Sequence, residues 1–144
     1  MTYNWKYFTM KEMTRSATAE RLGFLNTPTE IEKQNLNDLV INVLDPLREA
    51  YGKPIRVTSG YRCPRLNEAV KGVKNSQHMK GQAADITPLE YKYINEFIEF
   101  VRNWCLSHEF DQCIIETSKT GKWIHISWRN ENRRKKLFNM FVNK

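Results

Sequence analysis

Ser76-Gln77-His78-Met79-Lys80-Gly81-Gln82-Ala83-Ala84-Asp85-Ile86 is the stretch on which the reading of this chain turns. It sets a His and an Asp with six residues between them, and Gly81 in that interval allows a tight turn. Its last residues, small and apolar, read as a short strand. A second His stands in Trp123-Ile124-His125-Ile126-Ser127, whose alternation is that of a half-buried strand. Two imidazoles and one carboxylate on defined backbone make a ligand set suited to zinc, with one position left for water. On spacing alone each piece has an ordinary alternative: a strand His satisfied in place, an Asp that caps or pairs with a cation. Both readings stand at this point.

Composition narrows the class. The 144 residues are 40% hydrophobic and 12% aromatic, enough for one folded domain and against disorder. The formal net charge of +7 favours anionic partners, and nucleic acid and acidic wall polymers both qualify. Cys63, Cys105 and Cys113 are odd in number and include no CxxC pair, which argues against a disulfide framework or a cysteine zinc site. They read as small buried hydrophobes in a reducing compartment. His108, in Ser107-His108-Glu109, suits a helix end, and its i,i+3 spacing from Cys105 is weak evidence for a nucleophile with a positioned base. Met1-Thr2-Tyr3-Asn4-Trp5-Lys6-Tyr7 is not a signal peptide, and no apolar run approaches ~18 residues. The expectation is synthesis in the cytoplasm, without a membrane span, and release or export by another route.

Local signals divide the chain into short elements. Thr9-Met10-Lys11-Glu12 fits a capping box and predicts a helix to about Leu22, stopped at Gly23. Thr27-Pro28-Thr29-Glu30 predicts another, with Pro28 at its first position. Leu36, Leu39, Val40, Val43, Leu44 and Leu47 give the longest helix an apolar face, with a kink or break at Pro46 and an end at Gly52. Residues 54–58 alternate as a strand, and Ser59-Gly60-Tyr61-Arg62 turns off its end. A short helix over 64–70 closed by Gly72, a polar loop over 71–77 and a strand over 83–86 follow.

Thr87-Pro88-Leu89-Glu90 reads as a third capping box, opening a helix that carries Ile94, Phe97, Ile98, Val101 and Cys105 inward. Residues 111–116 and 122–128 read as a hairpin joined through 117–121. Gln112, Ile114 and Glu116 share one face of its first strand; Trp123, His125 and Ser127 share one face of its second. The register that would match those faces is open. No repeat or linker appears. The expectation is a single α+β domain over 1–144, a small mainly antiparallel sheet with flanking helices, ending in a basic tail at about 129–144.

Taken jointly, Ser59-Gly60-Tyr61-Arg62, Asn67, Ser76-x-His78-x-x-Gly81-x-Ala83-x-Asp85 and Trp123-x-His125 resemble the zinc D-Ala-D-Ala carboxypeptidase and peptidoglycan endopeptidase family, the M15 metallopeptidases. The likeness runs from Phe8-Thr9 through Leu44-Asp45-Pro46-Leu47-Arg48 to near Trp128, about four-fifths of the chain. It is similar to the short forms found in bacteriophage lysins and bacterial wall enzymes. The resemblance implies a Hedgehog/DD-peptidase-like fold, with zinc held by His78, Asp85 and His125. It implies that Arg62 binds the substrate's carboxylate or carbonyl groups, a role its planar fork suits. It places Ser59 and Ser76 at polar positions near the substrate, where turn and loop capping is the alternative. The implied partner is a peptidoglycan peptide, hydrolysed as by a D-Ala-D-Ala carboxypeptidase or an L-Ala-D-Glu-type endopeptidase, and a monomer is expected.

Larger members of that family place an acidic residue three positions before the last His ligand. Here Lys122 stands there and cannot act as a base. Glu116, matching a Glu of the short forms, is the candidate general base, and Asp111 is the runner-up; an exposed charge at a hairpin end is the ordinary reading of Glu116. In that scheme a zinc-bound water, its pKa lowered toward ~7, gives its proton to Glu116, which later protonates the leaving amine, while zinc and Arg62 stabilise the oxyanion. Two other classes stay open. One is a non-catalytic cell-wall-binding module on the same fold. The other is a nucleic-acid binder read from Arg133-Arg134-Lys135-Lys136 and the aromatics behind it. The more ordinary reading of those residues is a solvated helix face that packs Leu137 and Phe141 on the domain.

Overall fold

The apolar run from Leu36 to Leu47 folds into one continuous helical rod lying against a sheet in this computed structural model, which describes residues 3–143. Helices α1 (Met10–Thr14) and α2 (Ala17–Leu22) precede it. They are two helices rather than the one expected, because the Ser16 hydroxyl accepts from Ala19 N and starts a new first turn. Helix α3 (Glu30–Leu39) is capped by Thr29, whose hydroxyl accepts from Glu32 N while the Glu32 carboxylate accepts from Thr29 N. The capping box is thus Thr29 with Glu32 and not the expected Thr27-Pro28-Thr29-Glu30, and Pro28 lies before the cap and not inside the helix.

Pro46 does not break the rod. Helix α3 widens into a π-helical segment, Val40–Leu44, and continues as α4 (Asp45–Tyr51) up to Gly52. In the widened turn Asp45 N–H donates to Val40 O, five residues back. That spacing lets the helix continue past a residue without an N–H. Leu36, Leu39, Val40, Val43, Leu44 and Leu47 are all fully buried.

The sheet comprises β1 (Ile55–Ser59), β2 (Ala83–Pro88), β3 (Gln112–Ser118), β4 (Gly121–Ser127) and β5 (Lys136–Phe141), in the order β1-β2-β4-β3-β5. Its pairings are antiparallel except that of β3 with β5, which is parallel, so the sheet is mixed. The expected helical tail is thus an edge strand. The ladder of β3 takes it up: Lys136 N donates to Asp111 O, and Val142 N to Thr117 O. Leu137 packs partly on the core, whereas Phe141 stays 65% exposed.

Thr87 and Pro88 are the last residues of β2, paired with Arg56 and Ile55, and not a helix cap. A 3₁₀ turn at Tyr91–Tyr93 leads instead into α6 (Ile94–Cys105), whose Ile94, Phe97, Ile98, Val101 and Cys105 are buried as expected. Helix α5 (Pro64–Ala69) is followed by Lys71 at φ 59, so Gly72 is not the left-handed residue. The hairpin loop is only Lys119-Thr120, with Ser118 paired to Gly121. The three cysteines are free, and Cys105 and Cys113 are buried.

Side-chain alternation divides the sheet into two faces. Ala84, Ile86, Cys113, Ile115, Ile124 and Ile126 join the helices in the core. Asp85, Ile114, Glu116 and His125 point to the other face, which α6 and the rod leave uncovered. Among the described residues no helix is long and apolar enough to cross a membrane.

Candidate metal centre

His78 is presented by a 3₁₀ turn, Gln77–Lys80, that the sequence reads as loop. The Ser76 hydroxyl accepts from His78 N at 3.2 Å and caps the turn. Gly81 closes it at φ 73, and a Cβ there would lie 2.4 Å from Glu32 O, so only glycine lets the turn rest on α3. Asn35 holds the turn from the same helix by donating to Lys80 O at 2.8 Å.

A second close approach fixes the ring of His78. Its Nδ1–H donates to Gly60 O at 2.7 Å. A Cβ on Gly60 would meet Met13 O at 2.2 Å, and Tyr61 N donates to that same carbonyl at 2.8 Å. The segment Ser59-Gly60-Tyr61-Arg62 is therefore pinned to α1, with Asn26 donating to Tyr61 O and accepting from Cys63 N. With Nδ1 occupied, Nε2 of a neutral His78 carries the lone pair that faces the site.

Asp85 and His125 lie directly opposite one another on β2 and β4. Asp85 Oδ1 is 3.2 Å from His78 Nε2 and 3.2 Å from His125 Nδ1. Ligand atoms around a tetrahedral zinc with bonds of about 2.0–2.1 Å sit about 3.3 Å apart, so the spacing fits that ion. The donor set fits as well. Burial drives His78 toward its neutral form, although Asp85 opposes this. A neutral His78 then aims a lone pair at a carboxylate lone pair, a contact that a cation between them makes favourable. Burial works against the charge on Asp85, yet the neighbouring His78 and His125 rings outweigh it and hold its pKa well below the usual carboxylate range.

The hairpin register, open in the sequence, pairs Ile114 with His125 and Glu116 with Trp123. Directly paired residues share a face, so Glu116 comes beside the cluster. Its Oε1 is 4.0 Å from His125 Nδ1 and accepts from Trp123 Nε1 at 3.0 Å. Arg62, buried, donates to Ser59 Oγ at 3.0 Å, Asn67 Oδ1 at 3.3 Å and Asp85 Oδ2 at 3.3 Å. Burial lowers its pKa, and Asp85 and Glu116 raise it. Ser59 reaches the site through Arg62, and Ser76 through the backbone of His78.

Asp111 is placed otherwise. It is fully buried, and its carboxylate accepts from Arg134, Gln77 and Ser127. Burial pushes its pKa up, but those bonds outweigh it and hold the group at about 2. A carboxylate so engaged is a structural anchor and not a proton acceptor. His108 stacks on Trp104 and bonds Trp104 O, a helix-end role as its position suggested. Gly60 and Trp123 belong to the motif read in the sequence, but their orienting roles do not show there: that of Gly60 rests on contacts with His78 and Met13, and that of Trp123 on the hairpin register.

His78, Asp85 and His125 line a cleft of about 360 Å³ together with Arg62 and Glu116. A cleft that brings a His-Asp-His set and a neighbouring carboxylate to one point has the parts of a hydrolytic metal site. The chain belongs to the Peptidase M15 family, whose model matches residues 6–127. No curated protein matches it in sequence.

Proposed function

We propose that this chain is a zinc-dependent peptidase that hydrolyses peptidoglycan stem peptides, as a carboxypeptidase or an endopeptidase, at the cell wall. The observation that carries this reading is the convergence of His78, Asp85 and His125, with ligand atoms within 4.8 Å of one another, beside Glu116 in an open cleft. Family membership supports a metal-dependent peptidase, and the donor set supports zinc.

Zinc held by the two imidazoles and Asp85 would supply Lewis acidity and lower the pKa of a water there. The protein's own groups do the rest. Gly60 O fixes the His78 tautomer. Trp123 Nε1–H orients Glu116, which takes the proton of the attacking water and returns it to the leaving amine. Arg62, positioned by Ser59, Asn67 and Asp85, orients a substrate carbonyl or carboxylate.

The test is mass spectrometry of purified muropeptides after incubation with the protein, with the chelated protein and with Glu116→Gln. New peptides are expected from the zinc-loaded wild type alone, while Glu116→Gln keeps its zinc. Cleavage by Glu116→Gln would remove Glu116 from its role. Wall binding without cleavage by the loaded wild type would favour a non-catalytic module.

A further inference from the structure

We infer that Arg129 and Arg134 form a second anion subsite of the metal cleft, which takes a carboxylate of the peptide substrate at a point separate from Arg62. The inference rests on reading the cleft as a peptide site. Both guanidiniums line the same cleft as His78, Asp85 and His125.

The two arginines share one counter-ion. Arg134 reaches the Asp111 carboxylate with Nη2 at 2.6 Å and Nε at 3.1 Å, and Arg129 approaches it with Nε at 3.3 Å. Asp111 is already committed, since it also accepts from Arg134 N at 2.8 Å and Gln77 Nε2 at 3.0 Å. Arg129 Nε, although close, makes no hydrogen bond there. One buried carboxylate therefore answers two guanidiniums, and one positive charge is left over on groups that remain 33% and 36% exposed.

Two further cations, Lys71 and Lys80, line the cleft, and neither has an ion-pair partner among the described residues. Exposed lysines alone would be a solvated rim. The arginines differ because a buried group holds them in place before any ligand arrives, which reduces the entropy cost of binding. Arg134 spends Nε and Nη2 on Asp111, and Arg129 spends Nη2 on Asn132 O, so their Nη1 groups are the donors left to meet a carboxylate. The ligand class is thus a peptide with an acidic side chain, or a terminal carboxylate, set back from the bond at the metal. Arg129 and Arg134 lie just beyond the matched residues 6–127, so this subsite belongs to the C-terminal segment.

The test is titration calorimetry on the zinc-loaded full chain carrying Glu116→Gln, which blocks turnover. The probes are two end-blocked tetrapeptides that differ only in one side chain, Glu or Gln. The acid is expected to bind about tenfold more tightly than the amide, with the gap lost when Arg129→Gln is added. Equal binding of the two peptides, or binding of neither, overturns the subsite. A gap that survives Arg129→Gln assigns the carboxylate to the metal or Arg62 and also overturns it. Arg129→Gln is the chosen variant because Arg134 carries most of the bonds to Asp111 and its loss could unfold the segment. Muropeptide cleavage without a gap removes the subsite alone, whereas a gap without cleavage keeps the subsite and removes the peptidase reading.

Discussion

Strand β2 buries every residue from Ala83 to Pro88, while on β5 Lys136, Asn139, Met140 and Phe141 are exposed. The two strands lie in one sheet and are held by different means. The ligand-bearing half is fixed by backbone contacts too tight for a Cβ, at Gly60 and Gly81, and by fully buried apolar neighbours. The C-terminal edge is fixed by ladder bonds and by the ion cluster on Asp111. In the first region a substitution shifts a candidate metal ligand. In the second it changes charge and reach, and it touches the turn carrying His78 through the side chain of Gln77. The tightly packed half fixes the geometry of the candidate metal centre, and the edge beside it sets the charge of the cleft wall.

The sharpest way to break this contrast is Asp85→Ala. It removes the only anionic ligand, and metal affinity should fall by more than about a hundredfold in chelator competition. Unchanged affinity would mean that the cluster is not the metal site. Next comes Gly60→Ala, which touches no ligand directly. The overlap with Met13 O must displace the carbonyl that holds His78, so metal affinity should drop by roughly ten- to a hundredfold and thermal stability with it.

Asp111→Asn probes the edge, and its effect should depend on pH. The Asp111 pKa is depressed on folding to about 2, so its charge stabilises the fold above the ordinary carboxylate value. That contribution is lost as pH falls through the folded value. The gap in melting temperature between wild type and Asp111→Asn should be full at about pH 7, shrink below about pH 4 and close near pH 2. A gap that persists at low pH would assign the effect to packing. The smallest effect is expected at Phe141→Ala, within about 0.5 kcal/mol by denaturant unfolding. Phe97→Ala, at a fully buried site, should cost about 3–5 kcal/mol in the same measurement. Similar values would erase the distinction between core and edge.

The parts of this fold legible in the sequence were those decided locally. The apolar faces of the rod and of α6 follow from period 3.6, and every residue assigned to them is buried. The stretch from Ser76 to Ile86 and the pair Trp123-x-His125 pointed to the residues that converge. What escaped was decided at a distance. Thr87-Pro88 has the form of a helix start, but pairing with β1 gives its backbone a better partner. Residues 136–141 show no clean alternation, and only the open edge of β3 makes them a strand. The position of Glu116 waited on the pairing of Ile114 with His125, which a slip of one residue would reverse. Asp111 looks in sequence like a second acid, and its burial under two arginines is invisible there.

The widened turn at Val40–Leu44 has a further consequence, which concerns rotational phase. Each α-helical residue turns the chain by about 100°, and a π turn takes in one residue more than an α turn. Deleting Ile41, which is exposed, looks harmless by burial. A π turn absorbs that residue within one rotation, so the deletion would close the widened turn to an ordinary α turn and keep α3 in phase with α4. Glu32 and Asn35 would stay beneath the turn carrying His78. The extra residue therefore acts as a buffer that loosens the backbone ahead of Pro46 without turning the far end of the rod away from a candidate metal ligand.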